Sequence, residues 1–205
     1  QDNLTDMQNV IIQNSMLMDH PDGWFYTGVY HQRRGEYTLA SLAYENLLRQ
    51  FPNSEYTLNT FRNLSFCYRA LGDEKNYLII LDRRREKYPS DSEPVWEKFW
   101  YLYQKGELSL AQSILDLLST FPDEKNRALF WKFNINQSEE NIHYLEEIIK
   151  SKNFDYYYVR AWQELNKINW HLPSSRELFP PREFITKTQI FSGNQKIHWN
   201  RYLIL

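Results

Sequence analysis

The side chains that could do chemistry are few and widely spaced. Five histidines are present, His20, His31, His143, His171 and His198. Two imidazoles bind one ion from a helix when they stand four residues apart, because that step returns to the same face. No pair here has that step, and no H-E-x-x-H motif occurs. His31 reads as a satisfied packing residue on an inner helix face. The adjacent carboxylates Glu139-Glu140 and Glu146-Glu147 are a poor acid–base couple, since neighbouring helical residues point apart. They read as a solvated face. There is no G-x-S-x-G nucleophile turn and no phosphate loop. The one cysteine, Cys67, excludes an intramolecular disulfide and a thiolate zinc cluster, and fits a small buried apolar site. It permits a reducing or an oxidising compartment. The expectation is no catalytic residue, no metal and no cofactor.

The cations are more suggestive. Arg83-Arg84-Arg85 is the one dense basic run, flanked by Asp82 and Glu86, so intramolecular or solvated pairing is expected. Arg62, Phe66 and Arg69 share one helical face, at steps of four and three. Guanidinium planes pair bidentately with carboxylates, so this face could hold acidic peptides or sugar strands. The plainer reading is an exposed polar face beside the core. With Phe25 and Arg33, these three residues are the candidate groove-binding set.

The elements that must position them follow from a repeat. The dipeptides Phe51-Pro52, Tyr88-Pro89 and Phe121-Pro122 recur along the chain. Each follows an amphipathic stretch that follows a glycine, and Gly35, Gly72 and Gly106 lie 37 and 34 residues apart. A fixed period of this size signals stacked helix-turn-helix units. In the first unit, residues 21–52, Trp24, Gly28 and His31 mark one helix, and Ala40, Tyr44 and Leu47 a second. Gly28 is small where the paired helix must come close, and Ala40 matches it from the other side. In the second unit Phe61, Ser65 and Tyr68 take the places of Trp24, Gly28 and His31. Residues 53–55, Asn-Ser-Glu, supply a helix start. In the third unit Ser90 and Glu93 have the spacing of a capping box, and Ala111 and Leu115 continue the stripe of Ala40 and Tyr44. Phe99 stands where Gly28 and Ser65 stood, which implies wider helix spacing or a shifted register.

Residues 3–19 carry a helical pattern and read as a leading helix over 1–20. After Pro122 the markers stop, and residues 123–205 read as further helical hairpins. Helices are expected over 127–133, from a Ser138-Glu139-Glu140 cap through Lys150, and over 155–166. A proline-rich loop covers 172–181, with two short helices beyond it split by Gly193. The apolar end Tyr202-Leu203-Ile204-Leu205 reads as cut through something larger, and Gln1 fits either signal removal or a fragment. The formal charge of −2 gives no global pull on nucleic acid. Aromatics make up 17% of the chain, which suits helices that interdigitate through large flat side chains. No apolar run approaches the ~20 residues that span a bilayer.

Residues 21–122 resemble tetratricopeptide repeats, through Trp24, Gly28, Ala40, Tyr44 and Pro52, then Phe61, Ser65, Tyr68 and Pro89. The resemblance implies an all-α fold, a right-handed α-α superhelix of stacked antiparallel helix pairs. Its concave groove would be lined by the first helix of each pair and would take a peptide or partner protein. The Phe51-Pro52-Asn53-Ser54 link is similar to those of bacterial envelope proteins with such repeats. Arg127-Ala128-Leu129-Phe130-Trp131, followed by Tyr156-Tyr157-Tyr158, Ala161 and Leu165, resembles the helical superhelix that precedes the catalytic domain of soluble lytic transglycosylases. Leu178-Phe179-Pro180 is similar to the link that follows there. That family cleaves peptidoglycan with one glutamate in a separate domain, in a Glu-Ser motif that this chain lacks. The resemblance implies a non-catalytic periplasmic or envelope scaffold that contacts peptidoglycan or a partner protein. The alternative is a stand-alone interaction module in envelope or outer-membrane assembly.

Overall fold

The computed structural model describes residues 19–168. Over that range the chain is all-α, with nine α-helices packed in succession and no strand among the described residues. They are α1 Pro21–Arg33, α2 Tyr37–Gln50, α3 Thr57–Leu71, α4 Glu74–Lys87, α5 Glu93–Gln104, α6 Leu108–Leu118, α7 Lys125–Ile135, α8 Ile142–Ser151 and α9 Tyr156–Lys167. The expected leading helix, the proline-rich loop at 172–181, the two short helices about Gly193 and the apolar end at 202–205 lie outside the described residues.

The periodic markers act as helix stops. Gly35, Gly72 and Gly106 carry φ of 76°, 69° and 78°. That left-handed conformation costs any residue with a Cβ about 1–2 kcal/mol, so glycine ends one helix and turns the chain into the next. Phe51 and Tyr88 are the residues at which α2 and α4 end, with φ near −129° and −126°. Each precedes proline, whose ring pushes the residue before it out of the helical region.

The chain divides into two compact units, one up to Lys98 and one from Phe99. In the first, Ala40, Tyr44, Leu47 and Leu48 of α2 meet Phe61, Leu64 and Cys67 of α3 and Ile80 of α4. The close approach expected at Gly28 is present. A Cβ there would lie 2.6 Å from Tyr44 Cδ1, with other ring atoms equally crowded. Tyr44 is fully buried. Its hydroxyl donates to Gln32 Oε1 at 2.7 Å and accepts from Asn63 Nδ2 at 3.1 Å. One side chain of α2 thus ties α1 to α3, and burial raises its pKa well above the usual tyrosine range.

The second unit packs α7, α8 and α9 around Leu129, Phe130, Phe133, Ile142, Leu145, Ile148, Ile149, Tyr158, Ala161 and Leu165. Phe99 is fully buried and enters an aromatic cluster with Trp131 of α7 at 5.6 Å and Tyr103 at 5.8 Å. Bulk at this repeat position therefore serves packing onto α7. Asp155 caps α9 by accepting from the Tyr158 N–H at 2.8 Å. Asn126 Nδ2 of α7 donates to the same carboxylate at 3.1 Å.

Three expected helix starts move. α3 begins at Thr57, because residues 51–57 first form turns closed by Ser54 N–H to Phe51 O and Thr57 N–H to Ser54 O. α5 begins at Glu93, whose N–H is taken by Asp91 Oδ1 at 3.2 Å, so Ser90 stands too early to form the capping box. Ser138 makes no side-chain cap; a short 3-10 turn, Glu139–Asn141, precedes α8.

Candidate functional site

The candidate groove residues lie on the first helices of the first two pairs. Arg33 closes α1, while Arg62, Phe66 and Arg69 lie along α3; all four are exposed. Phe66 is 45% exposed and meets the Tyr37 ring edge-on at 5.7 Å. Tyr37 opens α2, close in sequence to Arg33, so the end of α1 and the C-terminal half of α3 lie at the same edge. Phe25 is of a different kind. It is half-buried, stacked on Tyr56 at 4.5 Å and tilted against Tyr44 at 6.3 Å. Tyr26 closes the group edge-on to Phe25 at 5.5 Å. Desolvation, with help from Tyr26 and Asp22, pushes the Tyr56 hydroxyl up to about 12. Phe25 therefore supports the α1–α3 packing from within.

The charge pattern separates two groups of cations. Arg34 pairs with Glu36 at 2.8 Å, Arg83 with Glu45 at 2.9 Å and Lys98 with Asp82 at 2.8 Å. Arg84 is 1% exposed and meets Asp91 at 2.7 Å and Glu97 at 3.1 Å. Arg33, Arg62 and Arg69 have no carboxylate within ion-pair distance among the described residues. Arg69 acts on Glu97 only as the weakest of several influences. Burial raises the Glu97 pKa, and the Arg84 charge opposes that rise. Arg83 and Arg84 of the basic run are thus consumed within the molecule, but not by their sequence neighbours. Glu45 comes from α2, while Asp91 and Glu97 come from the next turn and helix. Nothing in the run itself marks Arg84 as the buried member.

A shallow cleft of about 390 Å³ opens in the first unit. Leu48, Pro52, Thr57 and Phe61 line it, with Arg83, Glu86 and Lys87 around them. Arg83 is held by Glu45, and Lys87 donates to Asn53 Oδ1 at 2.8 Å.

The remaining reactive types are engaged in structure. His31 Nδ1 lies 2.7 Å from Glu36 Oε2 at the α1–α2 turn. The Glu36 carboxyl is held below its usual range by Arg34, then His31. His143 Nδ1 lies 2.6 Å from Glu140 O. His171 and His198 lie outside the described residues. Glu146 pairs with Lys150 at 3.5 Å and Glu147 with Lys125 at 2.9 Å, so the adjacent carboxylates diverge. The Cys67 thiol is buried and pushed up to about 11, which disfavours the reactive thiolate. Among the described residues no three His, Cys, Asp or Glu side chains gather to hold a metal ion, and no helix is long and apolar enough to cross a membrane.

Searched against protein-family models and against curated proteins, the sequence matches none.

Proposed function

We propose that this chain is a non-catalytic helical-repeat scaffold that engages a partner through the exposed face of α1 and α3. One observation carries the reading. Arg62 and Arg69 stand on one exposed face of α3 with Phe66, 45% exposed, between them, and neither they nor Arg33 at the end of α1 has a carboxylate within ion-pair distance among the described residues. Folding alone gives no use for these charges. A face that offers Arg and an exposed Phe suits recognition, because Arg and aromatic residues carry much of the energy of binding interfaces. In the tetratricopeptide-like arrangement implied by the resemblance, the pairs of the first unit follow a right-handed superhelical path, with this face on the concave side. The likeness to the helical region of soluble lytic transglycosylases supports a bacterial envelope or periplasmic setting, with peptidoglycan or a partner protein as the target. The alternative, a stand-alone interaction module, is favoured by Phe66, whose exposed ring between two arginines fits a peptide side chain.

A pull-down with purified peptidoglycan sacculi tests the envelope reading. The expected result is retention of the chain, weakened in the Arg62→Ala/Arg69→Ala variant. Absence of retention would move the function to protein binding.

A further inference from the structure

The shallow cleft of the first unit lies between the C-terminal ends of α2 and α4. Leu48 and Phe61 are buried and give it an apolar base, which Pro52 extends toward solvent. Its volume of about 390 Å³ is at the small end for ligand sites, so it suits one long side chain better than a whole cofactor.

The charges around the cleft sort into spent and free ones. Arg83 is spent, because its Nη1 donates to both oxygens of Glu45, at 2.9 and 3.0 Å. Lys87 donates to a neutral group, Asn53 Oδ1, and keeps its charge. Glu86 lines the cleft and is exposed, and Glu55 stands exposed in the turn that carries Pro52 and Thr57. Neither carboxylate has a cation within ion-pair distance among the described residues. The C-terminal ends of α2 and α4 add partial negative charge. Two free carboxylates and two helix ends outweigh one ammonium, so the cleft complements a cation.

That cation needs an apolar stem to use the base. Lysine and arginine lay their methylene groups on apolar surface and hold the charged head in water. An apolar base rimmed by carboxylate matches both parts. The molecule already contains one such contact, since the Arg83 guanidinium stands 5.8 Å from the centre of the Phe61 ring while Glu45 holds it.

We propose that this cleft receives a lysine or arginine side chain of a partner protein, its stem on Leu48, Pro52 and Phe61 and its head at Glu86. The site lies between second helices and does not depend on what the face of α1 and α3 binds.

The probe is Nα-acetyl-lysine methylamide, titrated into the isotope-labelled whole chain and followed by amide NMR shifts. Saturable shifts centred on residues 48–61 and 83–87 are expected, with a dissociation constant of about 1–10 mM. The uncharged analogue Nα-acetyl-norleucine methylamide should bind at least about threefold more weakly, and Nα-acetyl-glutamate methylamide should not saturate. Glu86→Gln should weaken the lysine probe about two- to fivefold. Lys87→Gln removes a competing ammonium and should tighten it about twofold. Both residues are exposed, so each variant should melt like the parent. Tighter binding of the glutamate probe, weaker lysine binding by Lys87→Gln, undiminished binding by Glu86→Gln, or no saturable shift at these residues would overturn the proposal. Free lysine binding more tightly than the capped probe would assign the cleft to a free amino acid and overturn the partner protein as its source.

Discussion

Gly28 and Tyr44 form a close joint between α1 and α2. A Cβ at Gly28 would enter the Tyr44 ring. That ring cannot swing aside without releasing its hydrogen bonds to Gln32 and Asn63. The obstacle is rigid, so even one methyl group is too much. Gly28→Ala should destabilise the chain by about 1–3 kcal/mol, and Gly28→Leu by at least as much. Combined with Tyr44→Leu, the alanine change should cost less than the sum of the two, because each relieves the other's clash. Urea unfolding of the two single variants and the double variant would show this. Additive losses would mean that the helices do not meet at Gly28.

At the scale of elements, the turns and the ion pairs make separate predictions. Gly72 has φ of 69°, and nothing stands within 4 Å of an added Cβ. A side chain there meets only backbone strain. Gly72→Ala should cost about 1 kcal/mol, and Gly72→Asn less, since asparagine tolerates left-handed backbone. Thermal melts in parallel would rank the three. Arg84 links α4 to Asp91 and to Glu97 of α5 while being 1% exposed. Arg84→Met would leave two partly buried carboxylates without their cation, so a loss of about 3 kcal/mol is expected in urea unfolding. Arg85→Met removes the neighbouring charge, half-buried and without an ion pair among the described residues, and should stay within about 0.5 kcal/mol. Equal losses from the two would show that Arg84 does not carry the link.

The molecule as a whole has a pH response set by carboxylates that burial disfavours. Burial raises Asp155 from 3.8 and Glu97 from 4.5, against the hydrogen bonds that oppose the rise. A raised carboxyl binds its proton more tightly in the native fold than in the unfolded chain. Its contribution to stability is full below the unfolded value and is lost as pH climbs through the raised value. Half-buried Glu36 is lowered and works in the opposite sense, retaining its contribution until pH falls through its native value. Asp155→Asn removes one raised group and keeps a capping oxygen for α9. The stability of the parent relative to this variant should decline as pH rises above about 4. Melts at rising pH would read it, and a constant difference would mean that Asp155 keeps its ordinary acidity in the fold.

The helix ends at the three glycines and at the first two aromatic-proline links were legible because their causes are local. A left-handed glycine and a residue before proline act within one turn of the chain, so Gly35, Gly72 and Gly106 and the Phe51-Pro52 type of link announce themselves by residue type and spacing. The small residue at Gly28 was legible for a related reason, since close helix contacts admit little else. The exposed line of Arg62, Phe66 and Arg69 follows from helical period alone. Charge pairing was not legible. Arg83 and Arg84 look alike in the run, yet one meets Glu45 from 38 residues away and the other is buried beside Asp91 and Glu97. The buried Asn126–Asp155 contact spans 29 residues and leaves no periodic trace. A hydrogen bond or ion pair is decided by where two side chains arrive after the helices have packed. Periodicity places a residue on a face, and only the tertiary structure decides what stands opposite it.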